Sequence, residues 1–237
     1  MGHAHNHDHE PSVEDGVYGI DYYEGRHKKL QLVYRLRRRT DEVERALRTY
    51  TNGPLKTIVD LGTADGLMLR NLRERIGTLK FLGIDYSLEL LKAQPLDGIH
   101  KTRADVQKVP VLTGSADAVI ATAVIEHVPD PDGMMKECAR ILRPAGLVII
   151  TTPAPFMEKV SSALGILKES GHHMTLNLKQ LKTMSQKAGF TVVEASKFMF
   201  SPIGFPAEKT IEKIFGPLGL RLVMANQLLV ARRGSVA

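Results

Sequence analysis

From residue 55 onward, apolar runs of strand length alternate with stretches whose apolar residues recur at three- and four-residue steps. The runs predict strands at 56–61, 80–84, about 99–104, 117–123, 146–152, 190–199 and 226–232. The periodic stretches predict helices at 66–76, 87–93, 131–142 and 177–188. This alternation predicts an α/β fold built on a doubly wound, mostly parallel sheet. Right-handed crossovers then bring the turns after the first strands to one carboxyl edge, where such folds bind ligands. Two stretches, 153–176 and 200–225, interrupt the alternation; the first ends in Gly-His-His-Met, and the second is rich in Phe and Pro. Upstream, 18–50 is helical in pattern, with Val33, Leu36, Thr40, Val43, Leu47 and Tyr50 on one stripe. Asp41, followed three residues on by Glu44, has the form of a cap that would split this stretch into two helices. The expected layout is a tail at 1–16, a helical segment at 17–52 and one domain at 53–237.

The strand Ile58-Val59-Asp60 runs into Gly62, Thr63, Ala64, Asp65 and Gly66, and a helical run from Leu67 follows. Strand, tight turn of small residues, helix is how an α/β fold makes a nucleotide site. Glycine supplies backbone angles closed to other residues and lets a ligand approach the main chain. The turn departs from the dinucleotide pattern G-x-G-x-x-G, because Ala64 replaces the second Gly and Leu67 the third. A helix N-terminus attracts phosphate, but Asp65 already places a carboxylate there. The turn therefore suits a nucleoside without phosphates. Asp85 ends the next apolar run about twenty residues after Gly66, the spacing at which an acid reaches two ribose hydroxyls.

On these residues the chain resembles the class I S-adenosylmethionine-dependent methyltransferases, of the small-molecule "type 11" kind. Asp60, Gly62, Ala64 and Gly66 match the family's first motif, with Ala64 the departure. Gly83-Ile-Asp-Tyr-Ser87 matches the second, and Arg103-Ala-Asp-Val-Gln-Lys-Val-Pro110 the third. The run from Asp117 to Val128 is similar to the fourth, and Leu142-Arg-Pro-Ala-Gly146 to the family's Leu-(Arg/Lys)-Pro-Gly-Gly turn. The resemblance covers roughly 55–233. It implies a Rossmann-like seven-stranded sheet ending in an antiparallel hairpin, S-adenosylmethionine as cofactor, and a small-molecule acceptor such as a metabolite, quinone, lipid or sugar derivative. It also implies residue roles. The backbone of Gly62, Thr63, Ala64, Asp65 and Gly66 lies against the methionine part, with the Asp60 charge near the sulfonium. Asp85 accepts from the ribose, Asp105 and the Val106 amide meet the adenine, Tyr86 and Ile125 flank it, and Ala123 completes the cofactor set. In relatives the N-terminal segment closes over the cofactor, which brings in Tyr18, Tyr22 and Tyr23. The stretches 153–176 and 200–225 form the substrate wall, where Phe198, Phe200, Phe205, Ile214 and Phe215 serve either a greasy acceptor or ordinary packing.

Methyl transfer is an in-line displacement on an activated carbon, so holding the partners aligned is the main contribution, up to roughly 7–11 kcal/mol. A general base adds ~10²–10⁴-fold, and only where the acceptor must lose a proton. His127, next to Glu126 after the fourth strand, and His172 are the candidate catalytic groups, with His173 beside them. His27 and His100 read as solvated. No metal is required, and metal-like spacing is confined to His3, His5, His7 and His9 in a tail that reads as a tag or solvated arm.

The balance of 32 Lys+Arg against 26 Asp+Glu gives +6, which speaks to solubility and non-specific association rather than fold. Cations cluster at 26–39, either solvated on a helical platform or clamping an anionic partner. Trp is absent, so base-stacking platforms are poorly supplied. Ala123-Val-Ile-Glu126 stands where an amino-methylating nucleic-acid enzyme carries Asn/Asp-Pro-Pro-aromatic, so a nucleic-acid partner is not expected. RNA methylation, or a non-catalytic module binding through the basic helix, is the alternative. Cys138 alone excludes an intrachain disulfide and fits a reducing, cytoplasmic setting. It shares a helical stripe with Met134, Met135, Ile141 and Leu142, so it is expected in the core. No apolar run reaches the length of a membrane span, and no secretory signal is visible.

Overall fold

Ile58 and Val59 are both fully buried although they point to opposite faces of one strand. Only a sheet covered by helices on both sides buries successive residues in this way. The computed structural model describes residues 13–14, 17–18, 20–157, 159, 174–201, 208, 210, 212 and 224–234. Strands β1 (Val13–Glu14) and β2 (Val17–Tyr18) form a small antiparallel ribbon that takes in residues assigned above to the tail. Helices α1 (Ile20–Lys28) and α2 (Leu30–Tyr50) follow. The main domain then runs β3 (Thr57–Leu61), α3 (Leu67–Ile76), β4 (Lys80–Asp85), α4 (Leu88–Ala93), β5 (Ile99–Arg103), β6 (Ala116–Thr122), α5 (Pro131–Ile141), β7 (Leu142–Pro153), α6 (Leu178–Lys187), β8 (Phe190–Phe198) and β9 (Asn226–Arg233).

The seven-stranded sheet has the order β5-β4-β3-β6-β7-β9-β8. The first five strands are parallel, and β9 runs antiparallel to both β7 and β8. This is the implied architecture, hairpin included. One face buries Ile58, Ile120, Ile149 and Leu228 under α2 and α3, through Val43, Leu47, Met68 and Leu72. The other buries Val59, Val119, Val148 and Leu229 under α5 and α6, through Met134, Cys138, Ile141 and Leu181. Each such side chain contributes about 1.5–3 kcal/mol of burial. Burial pushes the Cys138 thiol up to about 12, with the Glu137 charge adding to it, so this cysteine is a core residue. Among the described residues no helix is long and apolar enough to cross a membrane.

The N-terminal helices depart from expectation in three ways. The break falls at Lys29, in extended conformation (φ −84, ψ 112), and α2 runs unbroken through 41–44. Asp41 does not cap because it faces Arg75 of α3 at 2.7 Å, which Glu44 also reaches at 3.2 Å. Val33 leaves the stripe, 41% exposed, while Ala46 and Arg38 enter the buried side.

The foot of the sheet is fastened by Asp117, at the start of β6. Its Oδ2 accepts from the amides of Lys56 and Thr57, both at 2.8 Å, and its Oδ1 from Arg143 Nε. Burial alone would raise this carboxyl, but Arg143 and the two amides outweigh burial and hold it below the usual carboxylate range. A depressed folded-state pKa means that the contribution is present above ~3.9 and lost as pH falls through the lower folded value. Asp117→Ala should therefore cost about 2–4 kcal/mol in urea unfolding at neutral pH. The gap from the parent should close in strongly acidic buffer, and a gap independent of pH would contradict this account.

Candidate active site

The carboxyl ends of β4, β3 and β6 lie side by side, and the chain between β3 and α3 is tied to its neighbour at each step. Gly62 and Thr63 donate to the Ile84 carbonyl at 2.8 and 3.0 Å. Ala64 donates to Asp85 Oδ2 at 2.7 Å, and Asp85 Oδ1 accepts from Ser87 at 2.9 Å. Gly62, Ala64 and Gly66 all have left-handed backbone, at φ 69, 53 and 89. The expected close approach to glycine is made by the protein itself. A Cβ on Gly62 would stand 2.2 Å from Val124 Cγ2, and one on Gly83 would stand 2.6 Å from Thr63 Cγ2. Val124 therefore roofs the turn, and Thr63 lies across β4.

Asp60, at the end of β3, and Asp65 are buried acids, 2% and 0% exposed. Asp65 corrects the reading of His27 as solvated. The ring of His27 is partly exposed, yet its Nε2 lies 3.4 Å from Asp65 Oδ2, and Tyr23 meets it edge-on at 4.6 Å. Helix α1 thus lies over the turn. Lys101 Nζ reaches the Asp65 carbonyl at 3.2 Å; burial lowers the Lys101 pKa, and Asp65 opposes that. On the other flank Tyr86 is 55% exposed, with the Arg103 guanidinium 5.1 Å from its ring centre. Asp105 is exposed and accepts from the Gln107 amide at 2.8 Å, and Val106 is half-buried beside it. Ala123, at φ 55, ends β6 and donates to the Thr151 carbonyl. Ile125 is fully buried in the core rather than open to a ligand.

His127 closes a single 3₁₀ turn, Ile125–His127, and is half-buried; the Glu126 carbonyl accepts from Met174 at 3.3 Å. His172, His173, Phe205, Ile214 and Phe215 lie outside the described residues. Phe198, expected on the substrate wall, is 4% exposed and packs in the core with Met199 and Val230. A shallow cavity of about 460 Å³, lined by Leu47, Leu55, Ile76 and Leu79, lies at the opposite end of the strands from the glycine turn.

Sequence reasoning missed a polar cluster on α2. Tyr34 donates its hydroxyl to Glu208 Oε2, and Arg38 Nη2 pairs with Glu212 Oε2. The other carboxylate oxygens accept from Ser201 N at 2.7 Å and Phe200 N at 3.0 Å. Burial, reinforced by Glu212, raises the Glu208 carboxyl above the usual range. The cations of α2 are thus only partly solvated. Arg38 is 2% exposed, Arg39 reaches Asn226 at 3.2 Å, and Arg45 reaches Glu194 at 2.8 Å. The acid pair's four-residue spacing was the available signal, but nothing local pointed to α2 as its partner.

A methyltransferase-domain family profile matches residues 27–195. The chain is 31% identical over 161 residues to a ubiquinone biosynthesis O-methyltransferase of Xanthomonas oryzae pv. oryzae. That match covers 61% of this chain and 66% of the relative, just under two thirds of its length. A Haloferax volcanii protein solved in complex with the Trm112 methyltransferase activator shares the fold, with a TM-score of 0.70 at 22% identity over 95% of this chain and 99% of that one. So does an S-adenosylmethionine-dependent methyltransferase from Thermotoga maritima, with a TM-score of 0.65 at 16% identity over 90% and 95%.

Gly62→Ala tests the roofed turn. A left-handed Ala costs about 1–2 kcal/mol, and the clash with Val124 adds about 1–3 kcal/mol. Adding Val124→Ala should return the second part and not the first, as read by urea unfolding of the single and double variants.

Proposed function

We propose that this chain, which belongs to the class I S-adenosylmethionine-dependent methyltransferases, transfers a methyl group to a hydroxyl of a small molecule with an apolar body. The observation that carries the reading is Asp85 holding the glycine turn from the end of β4. Its carboxylate sits at a strand end beside the turn and accepts in charge-assisted bonds. It therefore suits a vicinal diol while bracing the turn. The residues fit the cofactor in other respects. The buried Asp60 and Asp65 bring negative charge to a site for a cation. When bound, S-adenosylmethionine supplies an electrophilic methyl carbon on a sulfonium.

Within this reading Tyr86, Asp105 and Val106 serve the adenine, and Ala123 stands at the methyl end. His127 orients the acceptor, with His172, outside the described residues, as the second candidate group. An oxygen acceptor follows the O-methyltransferase among the relatives, and ring-bearing diols such as catechol are the first probes. Arg38, Arg39 and Arg45 are engaged within the protein, which leaves less charge for phosphates and favours a small molecule over nucleic acid. A cytoplasmic setting rests on the single buried Cys138.

Calorimetry should show S-adenosylhomocysteine binding in the micromolar range, about −8 kcal/mol. Asp85→Ala should weaken it by about 1.5–3 kcal/mol. His127→Ala should lower catechol turnover while sparing that affinity. Tight NADH binding without S-adenosylhomocysteine binding would overturn the reading.

A further inference from the structure

The contacts of α2 fix where the Tyr34–Glu208 pair lies. Thr40 Oγ1 is 3.3 Å from the sulfur of Met68, in the first turn of α3, just past the glycine turn. Arg39 reaches Asn226, which pairs with Pro153 at the carboxyl end of β7. Helix α2 therefore passes the edge between the glycine turn and the end of β7. Tyr34 stands six residues before Thr40, about 9 Å further along the helix, on the stretch that rises above the edge.

Charge is unevenly shared there. Glu208 and Glu212 stand four residues apart in the sequence, and the groups facing them are Tyr34 and Arg38 from α2 and the amides of Phe200 and Ser201. Arg38, the cation of the cluster, is bound to Glu212. Glu208 is 3% exposed and faces a phenol. Burial and the neighbouring Glu212 both favour its protonated form. A carboxylate raised in this way is a stronger base than an ordinary one, the direction a general base needs.

We propose that Tyr34 and Glu208 form the proton relay for the acceptor hydroxyl, an assignment that rests on the hydroxyl-methylating reading above. As the acceptor O–H bond breaks, its proton passes to Tyr34 Oη while Tyr34 gives its own to Glu208 Oε2. The freed oxygen pair forms the new O–CH₃ bond, the S–CH₃ bond breaks, and its electrons leave a neutral thioether. One positive charge on sulfur and one negative charge on Glu208 disappear together. Glu208 returns the proton to water after product leaves.

Glu208→Gln and Tyr34→Phe test the relay with two readouts. The first needs no acceptor. A carboxyl raised in the folded state makes stability fall as pH rises from ~4.3 toward the folded value. Glu208→Gln removes that fall, so its melting temperature should gain on the parent as pH rises above ~4.3. The second compares catechol, neutral near pH 7, with 4-nitrocatechol, which is largely ionised there and needs no base. The ratio of 4-nitrocatechol to catechol turnover should rise about 10²-fold in both variants. Intact S-adenosylhomocysteine binding with parallel melting curves, or with equal losses on both probes, would overturn the relay alone. Absent S-adenosylhomocysteine binding in the parent would overturn the methyltransferase reading. Turnover of neither probe by the parent would overturn the aromatic-hydroxyl acceptor, and the relay with it.

Discussion

The bond from the Ala64 amide to Asp85 couples β3 to β4 at the carboxyl edge of the sheet. To aim that amide, Ala64 takes a left-handed conformation that costs an L-residue about 1–2 kcal/mol. A hydrogen bond to a charged group contributes about 1.5–3 kcal/mol, enough to hold it there. The amides of Gly62 and Thr63, both on the Ile84 carbonyl, add a second tie from the same pair of strands. Turn and acid are thus one unit. Asp85 thus fixes the backbone of the turn as well as ending β4.

Helix α2 joins this unit to Glu208, Glu212 and the carboxyl end of β7. Its lower end is fixed to the sheet, where Arg232 reaches the carbonyls of Tyr50 and Ala145 at 2.6 and 3.2 Å. Its middle is held to α3 by the Asp41–Arg75 pair and the Thr40–Met68 contact. Its upper part carries Tyr34 and Arg38 to Glu208 and Glu212. A basic amphipathic pattern that suggested an external partner is, at Arg38, an internal one. A buried arginine is tolerated because half-buried Glu212 pairs with it; removing that carboxylate would strand a charge.

The sheet was legible because parallel strands covered on both faces read as continuous apolar runs. Val119 to Ala121 and Val148 to Ile150 leave no other assignment, and the antiparallel closing hairpin came with the family resemblance. The turn at 62–66 was legible from its small residues, and the acids at 60, 85 and 105 from their places at strand ends. Pairings across long sequence separation were not legible. The cap pattern at Asp41 and Glu44 was overridden by Arg75, a residue of the next helix. His27 carried no local sign that α1 would lie over Asp65. The glycine at 62 announced a close approach without saying that Val124 would make it. Ala145 stands where the family has Gly and adopts φ 63 all the same, so the family turn keeps its shape at some cost to this chain.

The break at Lys29 governs local stability. Helix α1 has 9 residues, too few to persist as an isolated helix in water. Of its described residues, Gly25 alone is buried. Its helicity is therefore supplied by neighbours: the Tyr23–His27–Asp65 contacts on one side and α2 on the other. A segment supported this way belongs to the least protected cooperative unit of the fold and melts well before the sheet. Opening over the glycine turn is then a helix–coil transition of a few residues rather than the swing of a rigid body. Its elementary rate falls in the sub-microsecond to microsecond range, and its amide exchange will run far ahead of that of β3 and β6.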